Sequence, residues 1–307
     1  MRLFDLHCDT ITECYNRRLA LGDNRELHIA LDRGGRFATW VQCFAVWIPD
    51  TLRGQAAVRF FDAVTSFLRQ ETQKNAEKIT ICINKEDINN LDRCCGAVLT
   101  VEGGAVLAGN LDNIAHLHQQ GVRALTLTWN GSCEIGDGAQ VRQPGGLTAF
   151  GRQAIPLLEE NGIVVDVSHA SDPLFEDVAA LAQKPFIATH SNSRAVCDHP
   201  RNLTDHQFGI IRDRGGLVGI NLFREFLRAD GRATLDDVFR HVYHFLELGG
   251  EHTLALGTDF DGCDVLEAVS GIQDLEILGE YFYKHGLDTG LIDQIFYQNA
   301  KDFWDSL

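Results

Sequence analysis

The chain has 307 residues, 45% of them hydrophobic and 23% charged. That mix excludes a disordered chain, a collagen-like fibre and a small disulfide scaffold. A formal charge of −16 would repel a phosphate backbone, which argues against nucleic acid as a partner.

Short apolar runs alternate with amphipathic stretches along the chain. The runs fall at 3–6, 39–47, 97–101, 124–128, 163–167, 186–189, 217–221 and 253–257. Most are rich in Val, Ile, Leu and Thr, the pattern of strands buried on both faces. Between them, 55–75 places Val58, Phe61, Val64 and Leu68 near one helical face. Further helices are predicted at 110–119, 148–160, 204–213, 234–248, 275–285 and 291–304, with Pro156 expected to kink its helix. Asp172-Pro173 predicts another, with Asp172 as the N-cap and Pro173 as the first helical residue. An extra short strand is expected at 79–83. A length prior of about 150 residues per domain suggests two domains, but strand–helix alternation predicts one α/β domain over 1–307, a (β/α)8 barrel of the TIM type. An open doubly wound sheet would carry a Gly-rich phosphate turn after its first strand, where His7-Cys8-Asp9 stands instead.

The ionisable residues fall in a pattern. His7 and Asp9 end the first run, Glu102 follows the third, His169 the fifth, His190 the sixth and Asp259 the eighth. These are the C-terminal strand ends, where barrel active sites are built. Imidazole nitrogens with carboxylate oxygens suit zinc, and one carboxylate can bridge two ions, so the set points to a two-metal hydrolytic site. Spaced i, i+2, His7 and Asp9 project to one face while Cys8 turns away into packing. Glu102 directly follows a buried run, where a charge needs a partner or a metal. Asp166 reads as structural, and Asp261 as a brace for the Asp261-Gly262 turn. No Gly-x-Ser-x-Gly elbow and no dinucleotide fingerprint is present.

Nine cysteines without a C-x-x-C pair read as reduced, mostly buried thiols. The opening MRLFDLHCDT has acids where a signal peptide needs an apolar core, and no run of 18 apolar residues exists. A cytoplasmic protein with no membrane partner is therefore expected.

His7-Cys8-Asp9, Glu102-Gly103-Gly104, Val167-Ser168-His169, Thr189-His190-Ser191 and Gly257-Thr258-Asp259-Phe260-Asp261-Gly262, in this order, resemble the membrane dipeptidase (renal dipeptidase) family of zinc peptidases, family M19. Arg201-Asn202-Leu203-Thr204-Asp205 and Asn299-Ala300 extend the resemblance from Asp5 to about Phe303. It implies an amidohydrolase-like barrel with two zinc ions, one held by His7 and Asp9, the other by His169 and His190, with Glu102 bridging. Asp259 would contact the metal-bound water and move its proton, and Arg201 would hold the substrate's terminal carboxylate. The implied reaction is hydrolysis of free dipeptides, including those with a C-terminal D-residue, through a metal-bridging hydroxide. A homodimer is implied by the resemblance alone.

The chain departs from the animal enzymes of that family. Their Leu-Thr-His segment reads Leu127-Thr128-Trp129-Asn130 here, so Trp129 and Asn130 are expected at the substrate, without an imidazolium charge. Their Asn-Phe-Tyr reads Asn221-Leu222-Phe223, which loses a hydroxyl. The secretion signal and lipid-anchor tail are not seen, which points to a bacterial-type cytosolic form. The first two changes keep open a related two-metal hydrolase of N-acyl amino acids or other small amides and esters. A silent barrel that only binds peptide or metal is the third reading, against which all six candidate ligands stand intact.

Overall fold

The computed structural model describes residues 1–307 and is built on one parallel sheet. Its strands are β1 (Arg2–Cys8), β2 (Thr39–Trp47), β3 (Ile79–Ile81), β4 (Cys95–Glu102), β5 (Val122–Thr126), β6 (Val164–Asp166), β7 (Val218–Ile220) and β8 (Leu254–Leu256). The order is β6-β5-β4-β2-β1-β8-β7, and every pairing is parallel. β3 is the extra strand expected near residue 79. It pairs with Cys95 to Ala97 of β4, and β5 joins β4 only from Leu99 onward.

The predicted run 186–189 is the stave that closes the ring, although it is too short to form a ladder. Ile187 bridges Asp166 of β6, and Ala188 bridges Val218 of β7. Four backbone bonds of 2.8–3.0 Å hold it there: Val167 N to Ile187 O, Ile187 N to Val165 O, Ala188 N to Leu217 O and Gly219 N to Ala188 O. A side chain at Gly219 or Gly257 would collide with the Thr189 carbonyl, so these two glycines permit the close approach of the neighbouring staves. The ring is the (β/α)8 barrel expected from the strand count.

Residues Phe4, Leu6, Val41, Val98, Val164 and Ile187 fill the barrel interior, and Ala300, Phe303 and Trp304 of the last helix (Asn299–Asp305) plug its N-terminal end. The larger core lies between the sheet and the surrounding helices, with Leu3 and Cys8 of β1 in it. A register shift in β1 between Asp5 and Cys8 interrupts the alternation. That bulge lets His7 join the interior face that Phe4 and Leu6 occupy, whereas strict alternation would send it outward with Leu3 and Asp5.

The helical predictions hold in outline, with local corrections. Ser171, not Asp172, caps the helix Asp172–Leu181: Ser171 is extended and its Oγ accepts the Leu174 N–H, while Asp172 is already helical and Pro173 is second. A short hydroxyl satisfies the exposed N–H groups from that extended position. The helix Ala149–Glu160 runs through Pro156 without ending. The predicted helix 291–304 is three pieces, Thr289–Asp293, a π-helical turn Gln294–Gln298, and Asn299–Asp305. Thr10–Arg17, Lys85–Asn89 and Arg224–Leu227 are short helices that periodicity did not reveal.

Candidate metal centre

All six predicted ligands meet at the C-terminal mouth of the barrel. His7 Nε2 lies 3.5 Å from Glu102 Oε2, 3.6 Å from Asp9 Oδ2 and 3.8 Å from Asp259 Oδ1. The other Glu102 oxygen, Oε1, is 2.7 Å from His169 Nε2 and 3.6 Å from His190 Nε2. Glu102 therefore turns one oxygen to each of two donor groups. The ligand atoms of His7, Glu102 and His190, and those of His7, Asp9 and Asp259, each lie within 4.8 Å of one another.

Backbone strain marks the same residues. His169, Asp259 and Asp261 adopt φ values of 67°, 60° and 68°, in the left-handed region that side chains disfavour. Asp259 is held by Asn221, whose Nδ2 donates to its Oδ2 at 3.0 Å. Asp261 braces the turn from further away than expected. Its carboxylate accepts from Thr10 Oγ1 at 2.5 Å and from the His28 backbone N–H at 2.6 Å, which ties the β8 loop to the start of the first helix and to the segment after it. Gly262 leaves the space that a Cβ would take from Asp9 and Asp259.

Two of the imidazoles are held neutral. His169 and His190 face each other Nε2 to Nε2 at 2.9 Å. The far nitrogen of His169, Nδ1, lies 2.9 Å from Asn130 Oδ1, and an amide oxygen can only accept, so Nδ1 carries the proton. Its Nε2 is then a bare lone pair aimed at Glu102. Burial, followed by the charge of Arg201, pushes His169 down to about 4, and burial with the charge of His7 pushes His190 well below its usual range. Burial, followed by the charge of Glu102, pushes the Asp9 carboxyl up to about 8. His7 Nε2 and Asp9 Oδ1 are buried with no hydrogen-bond partner. The bare lone pairs of His169 and His190, set among the crowded carboxylates of Asp9, Glu102 and Asp259 and beside His7, form a donor set that fits divalent metal.

Above the ligands lies a cavity of about 580 Å³, lined among others by Trp47, Trp129, Asn130, His199, Phe223 and Phe226. Trp129 packs edge-on against Trp47 with centroids 5.0 Å apart. Trp129 and Asn130 reach the cavity as expected, although Asn130 spends its amide oxygen on His169. Arg201 is not on the cavity wall. It is 3% exposed, its Nη2 donates to His190 O at 3.4 Å, its Nε has no partner, and burial lowers it to about 10. Sequence reasoning missed Trp47, His199 and Phe226. Trp47 ends the second apolar run, so the strand-end argument that found Glu102 contained it; His199 and Phe226 lie in loops that strand periodicity does not mark.

A barrel with imidazole and carboxylate donors at its C-terminal mouth defines a metal-dependent hydrolase. Comparison with known proteins narrows that class. Residues 1–305 match the membrane dipeptidase family (peptidase family M19), and the chain belongs to it. It is thus a dipeptidase of a metallopeptidase family, with a divalent metal as cofactor. It is 33% identical over 255 residues to an uncharacterized protein in the pqqA 5′ region of Klebsiella pneumoniae, covering 78% of this chain and 94% of that one. It is 27% identical to dipeptidase 3 of Mus musculus over 76% of this chain, which spans 48% of the mouse protein. Among solved structures, an M19 metallopeptidase called dipeptidase AC superposes with a TM-score of 0.94 at 27% identity, covering 99% of this chain and 98% of its own. A metallopeptidase of Rhodobacter sphaeroides, liganded with a phosphinate mimic of L-Ala-D-Ala, gives 0.93 at 25% identity over 99% of both chains. No helix of the chain is long and apolar enough to cross a membrane.

Proposed function

We propose that the chain hydrolyses the peptide bond of free dipeptides, L,D as well as L,L, with two zinc ions. His7 and Asp9 would hold one, His169 and His190 the other, and Glu102 would bridge them. The observation that carries this is the division of Glu102, with Oε2 toward His7 and Oε1 toward His169. When bound, such ions lower the pKa of a water toward neutrality and polarise the scissile carbonyl.

The chain's own residues do the rest. Asp259 takes the proton of the attacking water on its carboxylate and returns it to the leaving amine. Burial raises its pKa, which suits a group that must both accept and release a proton. Asn221 Nδ2 keeps Oδ2 occupied and leaves Oδ1 for the exchange. Trp47 and Trp129 line the cavity, where they would exclude water beside the amide. Arg201 is buried behind His190 with an unpartnered Nε; the family resemblance, not the cavity lining, assigns it the substrate's terminal carboxylate, a grip that would satisfy Nε and select dipeptides over longer chains. Extension to a C-terminal D-residue rests on the L-Ala-D-Ala mimic carried by the Rhodobacter sphaeroides relative. The cytoplasmic assignment rests on nine cysteines that are all free thiols.

A panel of L,L- and L,D-dipeptides beside N-acyl amino acids, assayed with zinc added, tests the reading together with metal analysis of the purified chain. The expected result is dipeptide turnover with two ions per chain. Turnover of acyl amino acids alone, or a metal content well below two, would overturn it.

A further inference from the structure

Beneath the metal centre, Asp166 of β6 is fully buried in the barrel and accepts four hydrogen bonds. Two come from backbone N–H groups, Ser168 and Thr189, both at 2.9 Å. Two come from hydroxyls, Thr126 at 2.5 Å and Thr189 at 2.6 Å. Thr189 Oγ1 has one proton, and the short approach to a carboxylate oxygen consumes it. The same oxygen lies 2.8 Å from His190 Nδ1. With its proton committed to Asp166, Thr189 can only accept there, so Nδ1 of His190 must be the N–H.

We propose that Asp166 and Thr189 are positioning residues: the Asp166–Thr189 pair fixes His190 in its Nδ1–H tautomer and so presents a bare Nε2 to the metal. His169 reaches the same state through Asn130 Oδ1, so both imidazoles are set by outer partners of different chemistry. Metal-bound histidines commonly donate their outer N–H to a carboxylate or carbonyl; here a threonine hydroxyl is interposed. The opposite side of the barrel supplies a contrast. Asp5 clamps Thr258 in the same way, through N–H at 2.8 Å and hydroxyl at 2.6 Å, but Thr258 Oγ1 bonds no imidazole nitrogen. The clamp by itself joins staves; the Asp5 copy touches His7 through its backbone alone, and only the Asp166 copy reaches a ligand's imidazole.

The inference uses the reading of His190 as a metal ligand, yet its first test does not. Nitrogen NMR of the full chain stripped of metal reads which His190 nitrogen carries the proton. The relay requires Nδ1–H in the parent chain and in Thr126→Val, which removes a donor to Asp166 without touching His190. It requires mixed tautomers in Thr189→Val and recovery in Thr189→Ser. Chelator competition on the zinc-loaded chain should show zinc held about 10- to 100-fold more weakly in Thr189→Val than in the parent. An Nε2–H tautomer in the parent chain overturns the proposal even if no variant folds. So does a folded Thr189→Val with the parental tautomer and zinc affinity. A parent chain with Nδ1–H that takes up no zinc would instead sink the metal reading and leave the relay standing.

Discussion

At the scale of single residues, the site works by crowding acceptors that have no protons to share. His169 Nε2, His190 Nε2 and Glu102 Oε1 lie within 3.6 Å of one another. His190→Ala opens that cluster. Outer partners of metal ligands alone are worth about 10–100-fold, so loss of the ligand should cost more than about 100-fold in kcat and one ion per chain. Metal analysis and kinetics on the same preparation check this, and full activity would remove His190 from the site. Arg201→Lys should act differently. A lysine keeps the charge but loses the forked donor, and hydrogen bonds to charged groups are worth about 1.5–3 kcal/mol, so KM should rise about 10- to 100-fold with kcat largely kept. Much of this centre was legible in the sequence, because His7, Glu102 and His190 follow apolar runs directly and His169 and Asp259 stand one residue further on. Arg201's burial was not, since a loop residue's depth depends on what packs over it.

At the scale of elements, the barrel closes where its strand is weakest. The stave at 186–189 touches its neighbours through single bridges, and Gly219 and Gly257 let them close on the Thr189 carbonyl. Gly257→Ala should destabilise the fold by about 3 kcal/mol or more, because the collision is with backbone that cannot rotate away. Thermal denaturation of the purified variant measures it, and an unchanged Tm would mean the staves can part. The helix Leu235–Glu247 is fastened by His241, buried, with Nδ1 accepting the Ser193 N–H at 3.1 Å and Nε2 donating to Leu227 O at 3.0 Å. Burial lowers His241 to about 4, against about 6.5 in an open chain. The unfolded state then binds the extra proton between those values, so stability is full above about pH 6.5 and falls as pH drops toward 4, by up to about 3 kcal/mol. The difference between denaturation curves of the parent and His241→Gln across pH 4–7 isolates this share, and a flat difference would refute it.

At the scale of the whole molecule, the two ends of the chain meet on one barrel. β1 supplies His7 at the C-terminal mouth, while Phe4, on the same strand, meets Trp304 at the opposite end with ring centroids 5.2 Å apart. Chemistry and closure are thus separated along one strand. Trp304→Ala should cost about 3–5 kcal/mol by opening a cavity in the plug, yet leave kcat and metal content of the folded fraction unchanged. Denaturant titration beside kinetics tests the separation. A fall in kcat matched to the loss of stability would show that the plug shapes the site.

The sequence by itself determined the barrel, the extra strand near residue 79 and the set of metal-ligand candidates. Apolar runs and the residues that end them are local properties, and a buried strand needs both. Tertiary structure decided what depends on closure. The bulge in β1 that turns His7 inward exists only because Asp5 and Cys8 pair with β2 in different registers. The stave at 186–189 is a strand only because β6 and β7 stand on either side of it. Thr189 sits beside His190 in sequence, but its role there depends on Asp166, which lies 23 residues away and is brought near by the ring.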